Sequence, residues 1–201
     1  MTPKPMRILI AEDEPLVAEG LRGRLEGLGH AVAGIAYDGS DAVAKAEATS
    51  PDLIFMDIKM PRLDGIDAAE RIMAHRPVPI IVLTAHMDAG LVERAMAVGI
   101  MGYLVKPVDR KDLLPAISLA VTRFADLMGL RKDVQSLKEA LVLRQQVERA
   151  KGVLAQRLGL PEAKAHVRLQ QLAQRERCTL AQAADRVIAA DKFFRDLDHT
   201  E

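Results

Sequence analysis

The stretch Leu53-Ile54-Phe55-Met56-Asp57 decides the fold of this chain. A run of four apolar residues that ends in a carboxylate is typical of a strand covered on both faces of a sheet. Three more apolar runs are followed by polar side chains in the same way: 8–10 before Glu12 and Asp13, 80–83 before Thr84, and 103–105 before Lys106. Because an open parallel sheet gathers its chemistry at the carboxyl ends of its strands, we expect these polar groups to converge on one pocket.

Apolar strand-like runs alternate with amphipathic stretches over residues 7–122. We expect strands near 7–11, 31–36, 52–57, 79–84 and 102–105, and helices near 15–28, 38–48, 65–75, 88–98 and 109–122. Parallel strands need crossover connections, and helical crossovers cover the faces of the sheet. The pattern therefore predicts an α/β fold with a doubly wound, five-stranded parallel sheet.

Composition and charge indicate two folded parts with different roles. The 201 residues are 49% hydrophobic and 28% charged, the balance of a globular protein. Residues 1–122 carry 13 basic and 17 acidic groups, whereas residues 123–201 carry 15 and 11, which favours a nucleic-acid partner for the second part. The single cysteine excludes an internal disulfide. Without an apolar leader or a run of 18 uncharged apolar residues, we expect a cytoplasmic protein with no membrane partner.

The carboxylates expected in the pocket indicate a metal site. Glu12, Asp13 and Asp57 would repel one another unless a cation neutralises them. Mg²⁺ suits such a site, because it is a hard ion that prefers carboxylate oxygen and keeps several waters. An aspartate beside the metal can act as a nucleophile toward phosphorus, while Lys106 and Thr84 bind the oxygens of the incoming group. Each carboxylate taken alone could simply cap a helix or end a strand. Together with Thr84 and Lys106, however, the three carboxylates make five polar groups at corresponding strand ends, which favours a shared pocket.

On these residues, the segment 6–122 resembles the receiver domain of two-component response regulators. The resemblance implies a flavodoxin-like sheet with strand order 2-1-3-4-5, a sensor histidine kinase as phosphoryl donor, and Mg²⁺ as cofactor. It implies these roles: Asp57 as phosphoacceptor, Thr84 and Lys106 as phosphoryl-binding groups, Thr84 and Tyr103 as the switch pair, and Glu12, Asp13, Asp57 and the backbone carbonyl of Lys59 as metal ligands. The family usually has a cis bond before the proline that matches Pro107.

A phosphatase is the competing enzyme class. Haloacid-dehalogenase-like phosphatases also phosphorylate an aspartate at a strand end, but they need a second aspartate two residues later as general acid. This chain has Lys59 at that position. We therefore expect a phosphoacceptor with at most slow self-dephosphorylation rather than an enzyme.

Beyond residue 122 the strand signals end, and a long helix should leave the first domain. Apolar residues repeat there at spacings of three and four, the seam of a two-helix coil: Leu127, Leu130, Val134, Leu137 and Leu141. The seam covers about two heptads, so a helix packed against its own chain stays open as an alternative. We expect a receiver domain over 1–122, a coiled-coil-like helical linker over 123–147, and a small three-helix domain over 148–201.

The C-terminal segment reads as three amphipathic helices. The first should stop at Gly159, Pro161 suits the first turn of the second, and Thr179 and Gln182 have capping-box spacing before the third. The segment resembles the ANTAR domain, an RNA-binding module of transcription antiterminators, at Ala150, Lys151, Gly152, Leu154, Leu158, Gly159, Glu162, Ala165, Leu169, Leu172, Ala173, Leu180 and Ala184. It departs from that family in having His166 where an aromatic residue is common, and Gln170 and Gln171 where arginines are common.

The second resemblance implies RNA hairpins as partners and antitermination as output. Nine basic and four acidic groups lie within 144–186, and we expect RNA contacts from Arg149, Lys151, Arg157, Lys164, His166 and Arg168. With no aromatic residue there, base stacking falls to His166 or to an arginine plane. Phosphorylation is expected to favour a homodimer through the helix at 124–143. Two alternatives stay open: a DNA-binding helix-turn-helix regulator, which the gap at 175–178 permits, and an adaptor that binds only a protein such as its kinase.

Overall fold

The computed structural model describes residues 4–85 and 89–198. Its strands are β1 (Arg7–Ala11), β2 (Ala31–Ala36), β3 (Leu53–Asp57), β4 (Ile80–Thr84) and β5 (Gly102–Val105). Its helices are α1 (Pro15–Glu26), α2 (Gly39–Thr49), α3 (Gly65–His75), α4 (Ala89–Val98), α5 (Arg110–Leu158), α6 (Glu162–Arg175) and α7 (Leu180–Asp198). Residue 88, the expected start of the fourth helix, lies outside the described residues.

The five strands form one parallel sheet in the order β2-β1-β3-β4-β5, which confirms the predicted fold class and strand order. β3 lies at the centre, between β1 and β4. The register places Asp57 opposite Leu83 and Thr84 opposite Val105. The carboxyl ends of β1, β3, β4 and β5 therefore meet at one edge of the sheet.

Two apolar layers cover the sheet, one on each face. Leu9, Ile54 and Met56 belong to the layer that includes residues of α2 and α3. Ile10 and Phe55 belong to the opposite layer, with residues of α1 and the start of α5. Successive strand residues point to opposite faces, so both faces need apolar side chains. This explains why β3 reads as a continuous apolar run rather than an alternating one.

Helix α5 is 49 residues long. It is the last helix of the sheet domain and continues without a break into the helical segment that follows. Neither Gly129 nor Gly152 ends it, and Pro115 lies near its start. The chain divides into two compact units, one up to Gly129 and one from Leu130. The domain limits expected after residues 122 and 147 fall inside α5 and stay predictions.

Part of α5 is long and apolar enough to cross a membrane by length and composition alone, with a mean hydropathy of 1.5. The same helix places Leu113, Ile117 and Ala120 in the core of the first unit. Only 17% of the apolar stretch is buried, and one helix of this length and composition is weak evidence for a membrane role.

The second unit has its own apolar core, formed by the last turns of α5 together with α6 and α7. Its buried residues are Val147, Ala150, Leu169, Ala173, Ala183 and Ala184. The expected capping box is present, because Gln182 N donates to Thr179 Oγ1 at 3.2 Å and Thr179 N donates to Gln182 Oε1 at 3.0 Å. Helix α5 ends as expected at Gly159, whose φ of +62° favours glycine.

Candidate functional site

The carboxylates of Glu12, Asp13 and Asp57 form a cluster at the carboxyl edge of the sheet. Their ligand oxygens all lie within 4.8 Å of one another. Glu12 and Asp13 directly follow β1, and Asp57 is the last residue of the neighbouring β3, so the sheet itself brings them together. Glu12 and Asp57 are both buried. A cluster of carboxylate oxygens with excess negative charge fits a hard divalent cation such as Mg²⁺.

Lys106 reaches into this cluster from the end of β5. Its Nζ donates to Asp57 Oδ2 at 2.5 Å and to Glu12 Oε1 at 2.9 Å. The Lys106–Pro107 peptide bond is cis, as expected, and Lys106 N donates to the backbone oxygen of Thr84 at 2.8 Å. The lysine therefore places a positive charge within contact of the proposed phosphoacceptor.

The pKa shifts of two groups reflect this crowding. Burial raises the pKa of Glu12 and the nearby Asp57 charge raises it further, although the hydrogen bond from Lys106 opposes both effects. Burial alone would lower the pKa of Lys106, but its hydrogen bonds to Asp57 and Glu12 and their charges outweigh burial and raise it. Lys106 therefore remains an ammonium group, the form that binds anionic oxygen.

Gly65 allows the first turn of α3 to pass against the backbone of Asp57. A Cβ atom at this position would lie 1.8 Å from the Asp57 carbonyl oxygen. Gly65 N donates to Ile58 O at 2.8 Å, and Lys59 N donates to Asp57 Oδ1 at 3.3 Å. The sequence predicted residue 65 as the start of a helix but gave no sign that a side chain there would clash with the Asp57 main chain.

Two ion-paired groups around the site were also missed from sequence. Arg62, in the loop between β3 and α3, pairs with the buried Asp38, which caps α2 by accepting from Asp41 N at 2.8 Å. Arg94 on α4 contacts both Asp64 and Asp67 of α3 at 3.0 Å. These partners lie 24 to 30 residues apart along the chain, so no local pattern reveals them.

The other expected receiver residues occupy neighbouring strand ends. Thr84 is buried at the end of β4, the strand beside Asp57. Tyr103 lies on β5 opposite Val82 and is 52% exposed. The roles of this pair as a switch, and of the Lys59 carbonyl as a metal ligand, stay predictions.

Comparison with known proteins matches both units of the chain. Residues 8–118 match the response regulator receiver domain family, and residues 135–188 match the ANTAR domain family. The chain belongs to the response regulators. The transcriptional regulatory protein PdtaR of Mycobacterium tuberculosis is 47% identical over 184 residues, which cover 92% of this chain and 90% of that protein.

Solved structures agree with this assignment for the receiver. The signal receiver domain of a modulated diguanylate cyclase from Desulfovibrio desulfuricans is 36% identical with a TM-score of 0.57, and covers 61% of this response regulator and 98% of its own chain. The response regulator domain of CheB from Thermotoga maritima is 29% identical with a TM-score of 0.55, and covers 59% of this response regulator and 98% of its own chain. Receiver and ANTAR domains are not enzyme families, so the chain is a regulator, as expected.

Two of the cations expected to bind RNA are already engaged in ion pairs within the second unit of this response regulator. Lys151 Nζ lies 2.8 Å from Glu148 and 2.9 Å from Glu162, and its side chain is only 13% exposed. The hydrogen bond to Lys151 lowers the pKa of Glu148, and the two carboxylates raise the pKa of Lys151. Arg157 Nε donates to the buried Asp191 at 2.8 Å.

The remaining expected RNA contacts make no ion pair among those described above. Arg149, Lys164 and Arg168 are exposed, and His166 is partly exposed. Arg168 donates to the side-chain oxygen of Gln171 at 3.3 Å. The structure brings Lys164 and Arg168 together on one face of α6, whereas Arg149 lies on α5.

Proposed function

We propose that this response regulator accepts a phosphoryl group on Asp57 from a sensor histidine kinase and in response controls RNA hairpin binding and transcription antitermination in the cytoplasm. The observation that carries the proposal is the 2.5 Å contact between Lys106 Nζ and Asp57 Oδ2 beside a cluster of carboxylates. This arrangement provides a nucleophile, a cation for the phosphoryl oxygens and a site for a metal. The ANTAR match over residues 135–188 supports RNA as the target.

In this proposal each residue of the pocket has one task. Glu12, Asp13, Asp57 and the Lys59 carbonyl would hold Mg²⁺, which would neutralise charge on the reacting phosphoryl group. Asp57 Oδ attacks phosphorus as the bond from phosphorus to the histidine nitrogen of the kinase breaks, so that an acyl phosphate forms and the histidine is released. The ammonium group of Lys106 moves from the carboxylate to a phosphoryl oxygen. The buried Thr84 binds a second phosphoryl oxygen through its hydroxyl group.

The phosphorylated state is proposed to be a timed signal. No second aspartate follows Asp57 at the position of a general acid, because that position is Lys59, so we expect slow self-dephosphorylation. The shift of Thr84 toward the phosphoryl group leaves space into which the exposed ring of Tyr103 turns. This changes the surface made by α4, β5 and α5, which is the part of the receiver available to report the signal.

The proposed RNA contacts differ in how readily they can act. Arg149, Lys164, His166 and Arg168 can meet an RNA backbone or base without breaking an ion pair described above. Lys151 and Arg157 would have to exchange a carboxylate for a phosphate, so we expect each to contribute less to affinity.

Dimerisation through α5 is the proposed route by which two helical units engage RNA together. Leu130, Val134, Leu137 and Leu141 follow the spacing of a coiled-coil seam and are each at least half exposed. A second copy of the same helix would bury this row. Light scattering with and without beryllofluoride as a phosphoryl mimic tests this step, and an unchanged mass with intact RNA binding would remove dimerisation from the mechanism.

Labelling with radioactive acetyl phosphate tests the receiver. We expect label on the wild-type protein with Mg²⁺, none after chelation of the metal, and none on Asp57→Asn. Asp109→Asn is the matched control, since it removes an exposed carboxylate outside the pocket and should label like wild type. Equal labelling of Asp57→Asn and wild type would contradict the proposal.

Filter binding tests the output. The phosphorylated full chain should retain hairpin RNA in preference to duplex DNA of the same length. Preference for the duplex would favour the DNA-binding alternative. Retention of neither nucleic acid would favour a protein-binding adaptor.

A further inference from the structure

Helix α6 has an apolar patch on its outer face that the core of the second unit does not use. Its inner face buries Ala165 and Leu169. Its outer face presents Val167, which is 50% exposed, and Leu158 at the end of α5 is 53% exposed. Apolar side chains left in solvent beside a packed core are available to a partner.

The turn between α5 and α6 builds this patch into a groove. Gly159 adopts a left-handed conformation, and Leu160 N donates to Ala155 O at 3.0 Å, which closes the end of α5. The turn lines a groove of about 430 Å³ together with one face of α6. Six residues line it: Leu158, Leu160, Lys164, Val167, Arg168 and Gln171.

The chemistry of the groove combines an apolar floor with two cations and an amide. Lys164 and Arg168 are exposed, and none of the six described lining residues is acidic. Leu158, Leu160 and Val167 can contact the flat face of a ring, and the guanidinium plane of Arg168 can stack on it. The Gln171 side-chain oxygen accepts from Arg168, and its amide nitrogen offers donors to a base edge.

These features fit an unpaired nucleobase flanked by phosphates. A base in duplex DNA is stacked and paired, so it does not present its face to an apolar groove, whereas bases in RNA loops are splayed out. An acidic peptide would satisfy the cations without using the flat apolar floor. The segment 144–186, which contains the groove, has no aromatic residue, so base stacking within it needs another surface.

We propose that this groove holds one unpaired base of an RNA hairpin loop, with Lys164 and Arg168 on the adjacent phosphates. The inference rests on the proposed RNA-binding function and deepens it by naming the part of the RNA that is read. The inference also gives the cations two different roles. Lys164 and Arg168 line the groove, whereas Lys151 and Arg157 form ion pairs between helices.

Fluorescence of hairpin RNA that carries 2-aminopurine at each loop position in turn tests the groove in the phosphorylated full chain. One loop position should change its fluorescence on binding. Arg168→Ala should weaken binding by about tenfold, because a charge-assisted contact is lost. Val167→Ser should weaken it by about fivefold through loss of apolar contact, without changing the salt dependence. Arg175→Ala removes the same charge from the exposed end of the same helix, and should weaken binding by less than about threefold.

The possible outcomes distinguish a failure of the groove proposal from a failure of the proposed RNA-binding function. Equal losses in Arg168→Ala and Arg175→Ala, with Val167→Ser unchanged, would overturn the groove while leaving RNA binding in place. Binding of an acidic peptide or duplex DNA that competes with RNA and shows the same dependence on Val167 would also overturn it. Failure of the wild-type phosphorylated protein to bind any hairpin would overturn the proposed function together with this inference. Circular dichroism of each variant checks that the helices remain folded.

Discussion

Replacing Gly65 with alanine should disrupt the phosphoacceptor pocket without touching any of its charged groups. The new Cβ atom would lie 1.8 Å from the Asp57 carbonyl oxygen, and real Cβ contacts are essentially never below 3.0 Å. The backbone must therefore move by more than an ångström, because neither atom belongs to a side chain that can rotate away. Such a displacement exceeds ordinary overpacking, so we expect a loss of about 3 kcal/mol or more in the free energy of unfolding.

Urea unfolding measures this loss in the receiver alone. Both tyrosines, Tyr37 and Tyr103, lie in the receiver, so tyrosine fluorescence follows this unit. At a slope of about 2 kcal/mol per molar urea, the midpoint of Gly65→Ala should fall by roughly 1.5 M. The same variant should label slowly with acetyl phosphate, since the Asp57 main chain has moved.

Gly23→Ala provides the matched control with the opposite sign. Gly23 lies in α1, is exposed, and has no atom within 4 Å of an added Cβ. Alanine there should stabilise the receiver by about 0.5 to 1 kcal/mol, because it reduces the entropy of the unfolded chain. Equal unfolding midpoints for Gly65→Ala and wild type would refute the reasoning about the close approach.

Three further predictions concern stability. Burial holds the pKa of His30 below its usual range, so the unfolded chain takes up a proton at this residue more readily than the folded chain. The stability of the receiver, measured by urea unfolding, should therefore fall as the pH drops below about 6.5. His30→Gln should remove the part of this pH dependence that comes from His30. Thr179→Ala should destabilise the second unit by about 1 kcal/mol, read by hydrogen exchange at Gln182 N; unchanged protection there would contradict the capping box. Asp64→Ala should cost about 1 kcal/mol of receiver stability in thermal unfolding. Asp64→Asn keeps the helix cap and loses only the charge that faces Arg94, so it should cost about half as much. Equal losses in the two variants would assign the effect to the ion pair rather than to the cap.

The fold and the central charged residues of the pocket could be predicted from sequence because the apolar strand runs and the polar residues that follow them are local patterns. The apolar run before Asp57 predicted a strand covered on both faces, and parallel strands necessarily end at a common edge. The resemblance to receiver domains implied the strand order that the structure has. Once the strand order was right, Glu12, Asp13 and Lys106 had to lie near Asp57. The capping box at Thr179 was predictable for the same reason, because its two partners are three residues apart.

Features that depend on distant contacts could not be predicted in this way. Residue 65 was expected only as the start of a helix, and the close approach of Gly65 to the Asp57 backbone became visible only in the structure. Lys151 and Arg157 looked like free cations, and the packing of α6 and α7 against α5 brought Glu162 to Lys151 and Asp191 to Arg157. A long helix beyond residue 122 was expected, but the sequence did not show that the last helix of the sheet domain, the linker and the first helix of the second unit form one unbroken helix.

The position of Lys106 would make binding of a divalent ion and of a phosphoryl group in this pocket interdependent. Its ammonium occupies the same carboxylates that a cation needs, so at rest the pocket has partly satisfied its own charge. In the proposed function, a phosphoryl group on Asp57 would draw the lysine away and release the carboxylate of Glu12, so phosphoryl group and cation would each raise the affinity of the pocket for the other by an equal factor. This thermodynamic linkage would make divalent ion affinity a readout of the phosphorylation state.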